Sequence, residues 1–302
     1  VTETAAARLD DPAEPPERSP ARQSLARFLA DPLSLVATVV VVLFIVLAVV
    51  APLVAPHDPA EPDLFRRLQP PGWLEGGDWA FPLGCDALGR DILSRLIYGS
   101  RVSILVGATV VVVATGVGIL AGLMAGYYRG WVDAVISRLV DILLGFPYLI
   151  FAIGLMAMMG PGLQNIVLAL VYKEWVVPCR IVRGETLAAR VSEYVEAARA
   201  LGAGNGRIML AEILPNILSP VVVVATIRMA NVIILEASLS FLGLGVQPPT
   251  ASWGSMIADG REFLVDAWWV STFPGLAILA LVLAINVASQ GLRDAFDPRF
   301  QE

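Results

Sequence analysis

Long apolar runs alternate with short polar connectors along this chain. Six windows, at about 34–54, 103–126, 139–159, 163–182, 217–241 and 270–290, are dominated by Val, Leu, Ile, Ala and Gly. A helix rises about 1.5 Å per residue, so about 20 apolar residues cover the ~30 Å hydrocarbon core of a bilayer. The third and fourth windows are separated only by Met159-Gly160-Pro161-Gly162, a run of helix breakers that predicts a hairpin between two spans. The pattern predicts an all-α polytopic membrane protein with six transmembrane helices.

Composition strengthens that expectation. Apolar residues make up 57% of the chain, charged residues only 16%, and the mean hydropathy is +0.71; soluble domains carry about 25% charged residues. An even number of spans puts both termini on one side. That side holds the larger share of arginines, among them Arg129, Arg138, Arg180, Arg183, Arg190, Arg199 and Arg207, against Arg66, Arg67, Arg90, Arg95, Arg101 and Arg261 opposite. The excess predicts cytoplasmic termini. The net charge of −6 adds little, because acidic residues weigh weakly in orientation, and no basic cluster marks a nucleic-acid partner.

The domain plan follows. Residues 1–30 are expected to form a disordered cytoplasmic tail. Residues 31–56 hold a first span that starts too late and runs too long for a cleaved signal peptide. Residues 57–101 form an external loop, 102–291 a five-helix core, and 292–302 a cytoplasmic tail. Cys85 falls outside and Cys179 near the inner face, so no disulfide is expected between them. His57, the only histidine, reads as a solvated loop residue that cannot build a metal site alone.

A polar island interrupts the fourth and fifth windows. Residues 185–201 are good helix formers. Gly202, Gly204 and Gly206 with Asn205 supply a break, a second helix is expected from Arg207 towards Leu214, and Pro215 marks the start of the fifth span. Glu196, Ala197, Ala198, Gly202, Leu214 and Pro215 resemble the signature loop of ABC-importer permeases: Glu-Ala-Ala, three residues, Gly, then an ending in Leu-Pro. Glu212 departs from the family's usual hydrophobic residue or His. The segments Phe81–Arg101 and Glu236–Pro249, the pairs Trp253-Gly254 and Trp268-Trp269, Phe273-Pro274-Gly275 and the tail Gly291–Pro298 are similar to C-type permease subunits of dipeptide and oligopeptide importers. Phe81, Cys85 and Ser289-Gln290 depart from that pattern.

The resemblance implies an ABC type I importer permease fold in a bacterial inner membrane. It implies that loop 183–216 couples to two separate ABC ATPase subunits, which hold the ATP and Mg, while this chain holds no cofactor. It further implies a homologous second permease forming a heterodimer, an external solute-binding protein, a peptide substrate, and a scaffold helix beside the bundle before the second span.

Several intramembrane positions stand out. Ala114, Gly118, Gly122 and Gly126 recur every four residues, so they form one stripe for close helix packing, within the bundle or at a moving subunit interface. Lys173, Glu174, Arg228, Asn231 and Glu236 are polar groups at membrane depth, where a charge costs about 2.5–3.5 kcal/mol on insertion scales. Lys173 and Glu174 point about 100° apart on a helix, while Glu174 and Arg228 fall at similar depth and are expected to pair or to line a hydrated path. The apolar positions Ile92, Leu93, Leu96, Ile97 and Val102 recur at helical spacing and predict an amphipathic interfacial helix with Arg95 and Arg101 reaching headgroups.

There is no phosphate loop, zinc motif or nucleophile elbow, so no catalytic residue or metal site is expected. The same type of permease for another solute, such as a nickel chelate or glutathione, remains an alternative. A proton-coupled secondary transporter would be expected to show internal repeats, which are not seen.

Overall fold

The computed structural model describes Phe28 and residues 30–296. Most of the expected tail 1–30, and residues 297–302 of the second tail, lie outside the described residues. Helices and connectors account for the described residues, with no strand among them.

Helix α1 (Pro32–Val54) begins at Asp31, whose carboxylate accepts from the Leu33 and Ser34 amides and so caps the first turn. It packs on α2 (Ile92–Tyr128) and on the last helix, α10 (Trp269–Phe296). Helix α10 runs past residue 291 as far as Phe296. Between α2 and α10 come α3 (Gly130–Gly145), α4 (Tyr148–Met159), α5 (Leu163–Glu174), α6 (Val176–Ala189), α7 (Glu193–Ala200), α8 (Leu214–Phe241) and α9 (Trp253–Gly260).

Four helices among the described residues are long and apolar enough to cross a membrane: Pro32–Val54, Ile92–Tyr128, Asn205–Phe241 and Trp269–Ala295. A fifth span forms if α3 and α4 count as one, but they meet at a 93° bend. The expected six continuous spans are therefore not all present as such. Window 139–159 breaks at Phe146-Pro147, because proline cannot continue the hydrogen-bond ladder and pushes the preceding residue into an extended conformation. Window 163–182 is interrupted at Trp175. The turn 160–162 is sealed by Asn165, whose side-chain amide donates to the Met159 and Gly160 carbonyls at 2.9 and 3.1 Å.

Helix α2 organises the molecule. Its 37 residues span about 55 Å at 1.5 Å per residue, so it reaches both ends of the bundle. The stripe of Gly118, Gly122 and Gly126 lies against α6: a Cβ at Gly118 would stand 2.7 Å from Pro178 Cβ, and one at Gly122 would stand 2.7 Å from the Cys179 carbonyl oxygen. The small residues thus bring two helices of the same chain to backbone contact.

The Asp91–Arg101 segment is not a separate interfacial helix. It is the first turns of α2, with Ile92, Ser94, Arg95 and Ile97 buried. Arg95 points into a charged network rather than towards headgroups, because α9 and residues 56–90 fold over it as a cap. Trp253 of α9 wedges between α2 and α8, donating its indole N–H to the Leu96 carbonyl at 2.9 Å. Trp269 does the same to the Cys85 carbonyl at 3.2 Å. His57 is also less solvated than expected: its ring stacks on Phe81 at 4.3 Å, and Nδ1 lies 3.5 Å from the buried Asp91 carboxylate. Burial, helped by the Asp91 and Asp86 carboxylates, pushes the neighbouring Cys85 thiol up to about 12, leaving it protonated at neutral pH.

The α2–α6 contact generates a test. Gly122→Val should overpack the interface and cost about 1–3 kcal/mol, seen as a lower thermal unfolding midpoint of the purified protein. Gly116→Ala on the open side of α2, where no atom lies within 4 Å of an added Cβ, should leave the midpoint unchanged or raise it.

Candidate functional site

The polar island folds into a compact knob at the end of α2 remote from the cap. Helix α6 ends at Ala189, Ser192 starts α7, and α7 closes with a Schellman motif. The Gly202 amide donates to the Arg199 carbonyl and the Ala203 amide to the Ala198 carbonyl, each at 3.0 Å. That arrangement needs a left-handed residue, and Gly202 supplies it at φ +82°. A turn at Asn205–Arg207 and six π-helical residues, Ile208–Ile213, then lead without a break into α8. Pro215 follows the π-helical turn directly, within a helical run that continues from Asn205 to Phe241, so the expected boundary there is a continuous helix instead.

Side chains divide the knob into an inner and an outer face. Val195 is buried with Ile208, Ile213 and Leu123, fixing α7 to the root of α8 and to α2. Tyr127 of α2 donates its hydroxyl to Asn205 Oδ1 at 2.9 Å, pinning the turn. On the outer face Glu196 and Ala197 are exposed, Ala198 is half-buried, and Leu201 is 89% exposed. Tyr194, Ala197 and Leu201 are spaced i, i+3 and i+7, which places them along one side of α7. Leu214 is half-buried and Pro215 exposed at the knob's base. The expected loop residues therefore divide between α7 with its closing turn (Glu196, Ala197, Ala198, Gly202) and the start of α8 (Leu214, Pro215), and of the first group Glu196, Ala197 and Gly202 are exposed.

The intramembrane polar residues separate into two sets. Glu174 and Arg228 form a bidentate pair: Nε donates to Oε2 at 2.7 Å and Nη2 to Oε1 at 2.6 Å, which ties α5 to α8. Lys173 faces another way. Its ammonium donates to the Phe146 carbonyl at the α3–α4 break and lies 5.3 Å from the Tyr148 ring centre. Glu236 is fully buried near the cap and accepts from Ser103 at 3.0 Å and Ser240 at 2.8 Å, bonding α2 to α8 without a cation. Asn231 donates only to Ile227 of its own helix, at 3.4 Å.

Sequence reading missed three contacts in these regions. Tyr127–Asn205 and Ser103–Glu236 link residues far apart in the chain and leave no periodic trace. The bidentate pair of Arg183 with Asp133, at 2.5 and 2.8 Å, ties α6 to α3. Only the presence of two opposite charges in flanking polar stretches could have hinted at it.

The model of the binding-protein-dependent transport system inner membrane component family matches residues 118–302. That of the N-terminal TM domain of oligopeptide transport permease C matches residues 19–71. The MetNI methionine ABC transporter in an inward facing conformation aligns with a TM-score of 0.56 at 19% identity, covering 68% of this chain and 98% of that one. The molecule thus has the fold of an ABC type I importer permease. The di/tripeptide transport system permease protein DppC of Pseudomonas aeruginosa (strain UCBPP-PA14) is 46% identical over 246 residues, covering 82% of this chain and 81% of that protein. The dipeptide transport system permease protein DppC of Escherichia coli (strain K12) is 44% identical over 247 residues, covering 82% of each. The chain belongs to the binding-protein-dependent transport system inner membrane component family, as a multi-pass permease subunit of the bacterial inner membrane.

The Glu174–Arg228 pair can be tested by a double-mutant cycle. Glu174→Gln and Arg228→Gln should each lower the thermal unfolding midpoint, since each strands a desolvated charge. The double variant should lose less than the sum, by about 1–3 kcal/mol; additive losses would show that the two do not interact.

Proposed function

We propose that this chain, with a homologous second permease, forms the translocation path for di- and oligopeptides in an ATP-driven importer, and that the knob at residues 193–202 is where ATPase motion enters. The chain itself is non-catalytic: ATP and Mg belong to two partner ATPases, and an external binding protein delivers the solute to the cap side. The knob end and both termini face the cytoplasm. The family membership and the peptide-transport relatives support the substrate class.

The observation that carries the coupling reading is the outer face of α7, where a leucine and two small or polar residues stand in solvent on a turn fixed from behind. Such a face can enter a groove without rearranging. Force applied there passes through Val195 to Ile208 and Ile213, then along the continuous helix into α8. Helix α8 carries Arg228 and Glu236, so the same motion reaches the Glu174 pair on α5 and the Ser103 contact on α2. The π-helical turn lies at the root of this lever, where a local change of helical winding rotates everything beyond it.

Co-expression with the ATPases, the partner permease and the binding protein, followed by peptide-stimulated ATP hydrolysis in liposomes, tests the reading. Leu201→Asp should weaken ATPase association by at least about tenfold, given that interface hot spots cost about 2 kcal/mol or more. Glu196→Ala with Gly202→Pro should abolish stimulation, with the permease pair still assembled. Full stimulation in both variants would mean that this knob does not couple.

A further inference from the structure

At the cap end lies a cavity of about 660 Å³, a volume typical of small-molecule sites. Its wall includes Arg90, Arg95, Gln247, Asp259, Arg261 and Glu262. The two inner arginines are held unequally. Arg90 has a firm partner, its Nε donating to Asp86 Oδ2 at 2.7 Å, and it reaches Asp259 Oδ2 only at 3.4 Å. Arg95 is 2% exposed, yet its nearest carboxylates stand at 3.5 Å (Asp86) and 3.7 Å (Asp259). Charge-assisted N–H···O contacts run about 2.7–2.9 Å. Arg95 Nε, the atom that faces Asp86, and Nη1 make no hydrogen bond. A buried guanidinium with so little compensation is costly for a structure that needs it only for packing.

Asp259 is the loose member. Its side chain is 46% exposed at the cavity edge, and burial among its neighbours raises its carboxyl above the usual range despite Arg95 and Arg90. It makes two long contacts where one close, bidentate contact would be stronger.

We propose that this cavity receives the free carboxylate of a short peptide, which displaces the half-exposed Asp259 from Arg90 and Arg95 into solvent. The inference rests on the peptide reading above and adds a binding position to it. The terminal carboxylate is common to all unblocked peptides, so a site that grips it accepts any side chain. The Gln247 side chain, whose amide nitrogen is held by the Gly243 and Gly245 carbonyls, and the Thr250 hydroxyl also line the cavity; the Gln247 carbonyl oxygen and that hydroxyl offer neutral hydrogen bonds to a peptide backbone. Exchange of one carboxylate for another leaves the buried charge balance unchanged, which keeps binding weak and release easy.

The test uses the assembled transporter in nanodiscs without the binding protein, with dialanine and dialanine amide as probes and saturation-transfer NMR titration as the readout. Dialanine should bind at least about tenfold more tightly than the amide, a difference of about 1.4 kcal/mol. Asp259→Asn, which keeps the side chain's shape and leaves Asp86 beside both arginines, should tighten dialanine several-fold by removing the competing carboxylate. Arg95→Gln should erase the preference for the acid. Equal binding of acid and amide, binding of neither, or unchanged dialanine affinity in Asp259→Asn overturns the inference. Dialanine uptake by the complete system with its binding protein is measured alongside. Normal uptake without acid preference removes the cavity site and leaves the permease reading standing, whereas absent uptake of any peptide counts against the reading itself.

Discussion

The bundle depends on a row of missing side chains. Helix α2 can meet α6 backbone to backbone only because Gly118, Gly122 and Gly126 carry no Cβ, and that contact seats the rest. Lipid tails offer apolar side chains no reason to leave them, so helices in a bilayer associate through close packing and a few polar contacts. Here the close packing lies along one long helix, and polar links are added on either side of it. Arg183–Asp133 fastens α6 to α3, and Glu236 with Ser103 fastens α8 to α2.

A broken helix at membrane depth creates the opposite problem. The 93° bend after α3 leaves carbonyls without a helical donor, and in a bilayer, where water is scarce, each such carbonyl is costly. The chain's single lysine answers it, with its ammonium on the Phe146 carbonyl and beside the Tyr148 ring. Tyr148 in turn donates to the Leu170 carbonyl at 3.0 Å, one turn before Lys173. The adjacent Glu174 points away towards α8 and holds Arg228. Two neighbouring charges on one helix thus serve two different joints, and this explains why opposite charges adjacent in sequence do not neutralise each other.

How much of this was legible depends on range. The helical class, most of the apolar windows and the helix-then-glycine break at 193–202 were readable because each leaves a local mark: a run, a period or a fixed spacing. The glycine stripe was readable as a packing face, but not its partner, since α6 is chosen by three-dimensional fit. Depth counting brought Glu174 level with Arg228, and the pair formed. The same counting could not foresee the bend at Phe146-Pro147, where a local proline effect overrides an apolar run. The largest misreading was the Asp91–Arg101 segment. Its helical periodicity was real, but periodicity does not say whether the polar face meets headgroups or another part of the chain. Cap residues 56–90 and α9 cover it, so Arg95 ended in the interior. The charged network around Arg90, Arg95, Asp86 and Asp259 joins segments up to 169 positions apart, a separation at which spacing carries no signal.

The knob has a consequence for how the protein is made. Leu201 stands almost wholly in solvent, with Val191 mostly and Tyr194 partly exposed, and apolar groups gathered on an open surface are what chaperones and proteases recognise. A copy inserted into the membrane without an ATPase to cover that face would advertise its own incompleteness. The residues proposed to receive force would then also report assembly, and the cell would clear whichever copies had found no partner, matching the number of permeases to the number of motors without a dedicated sensor.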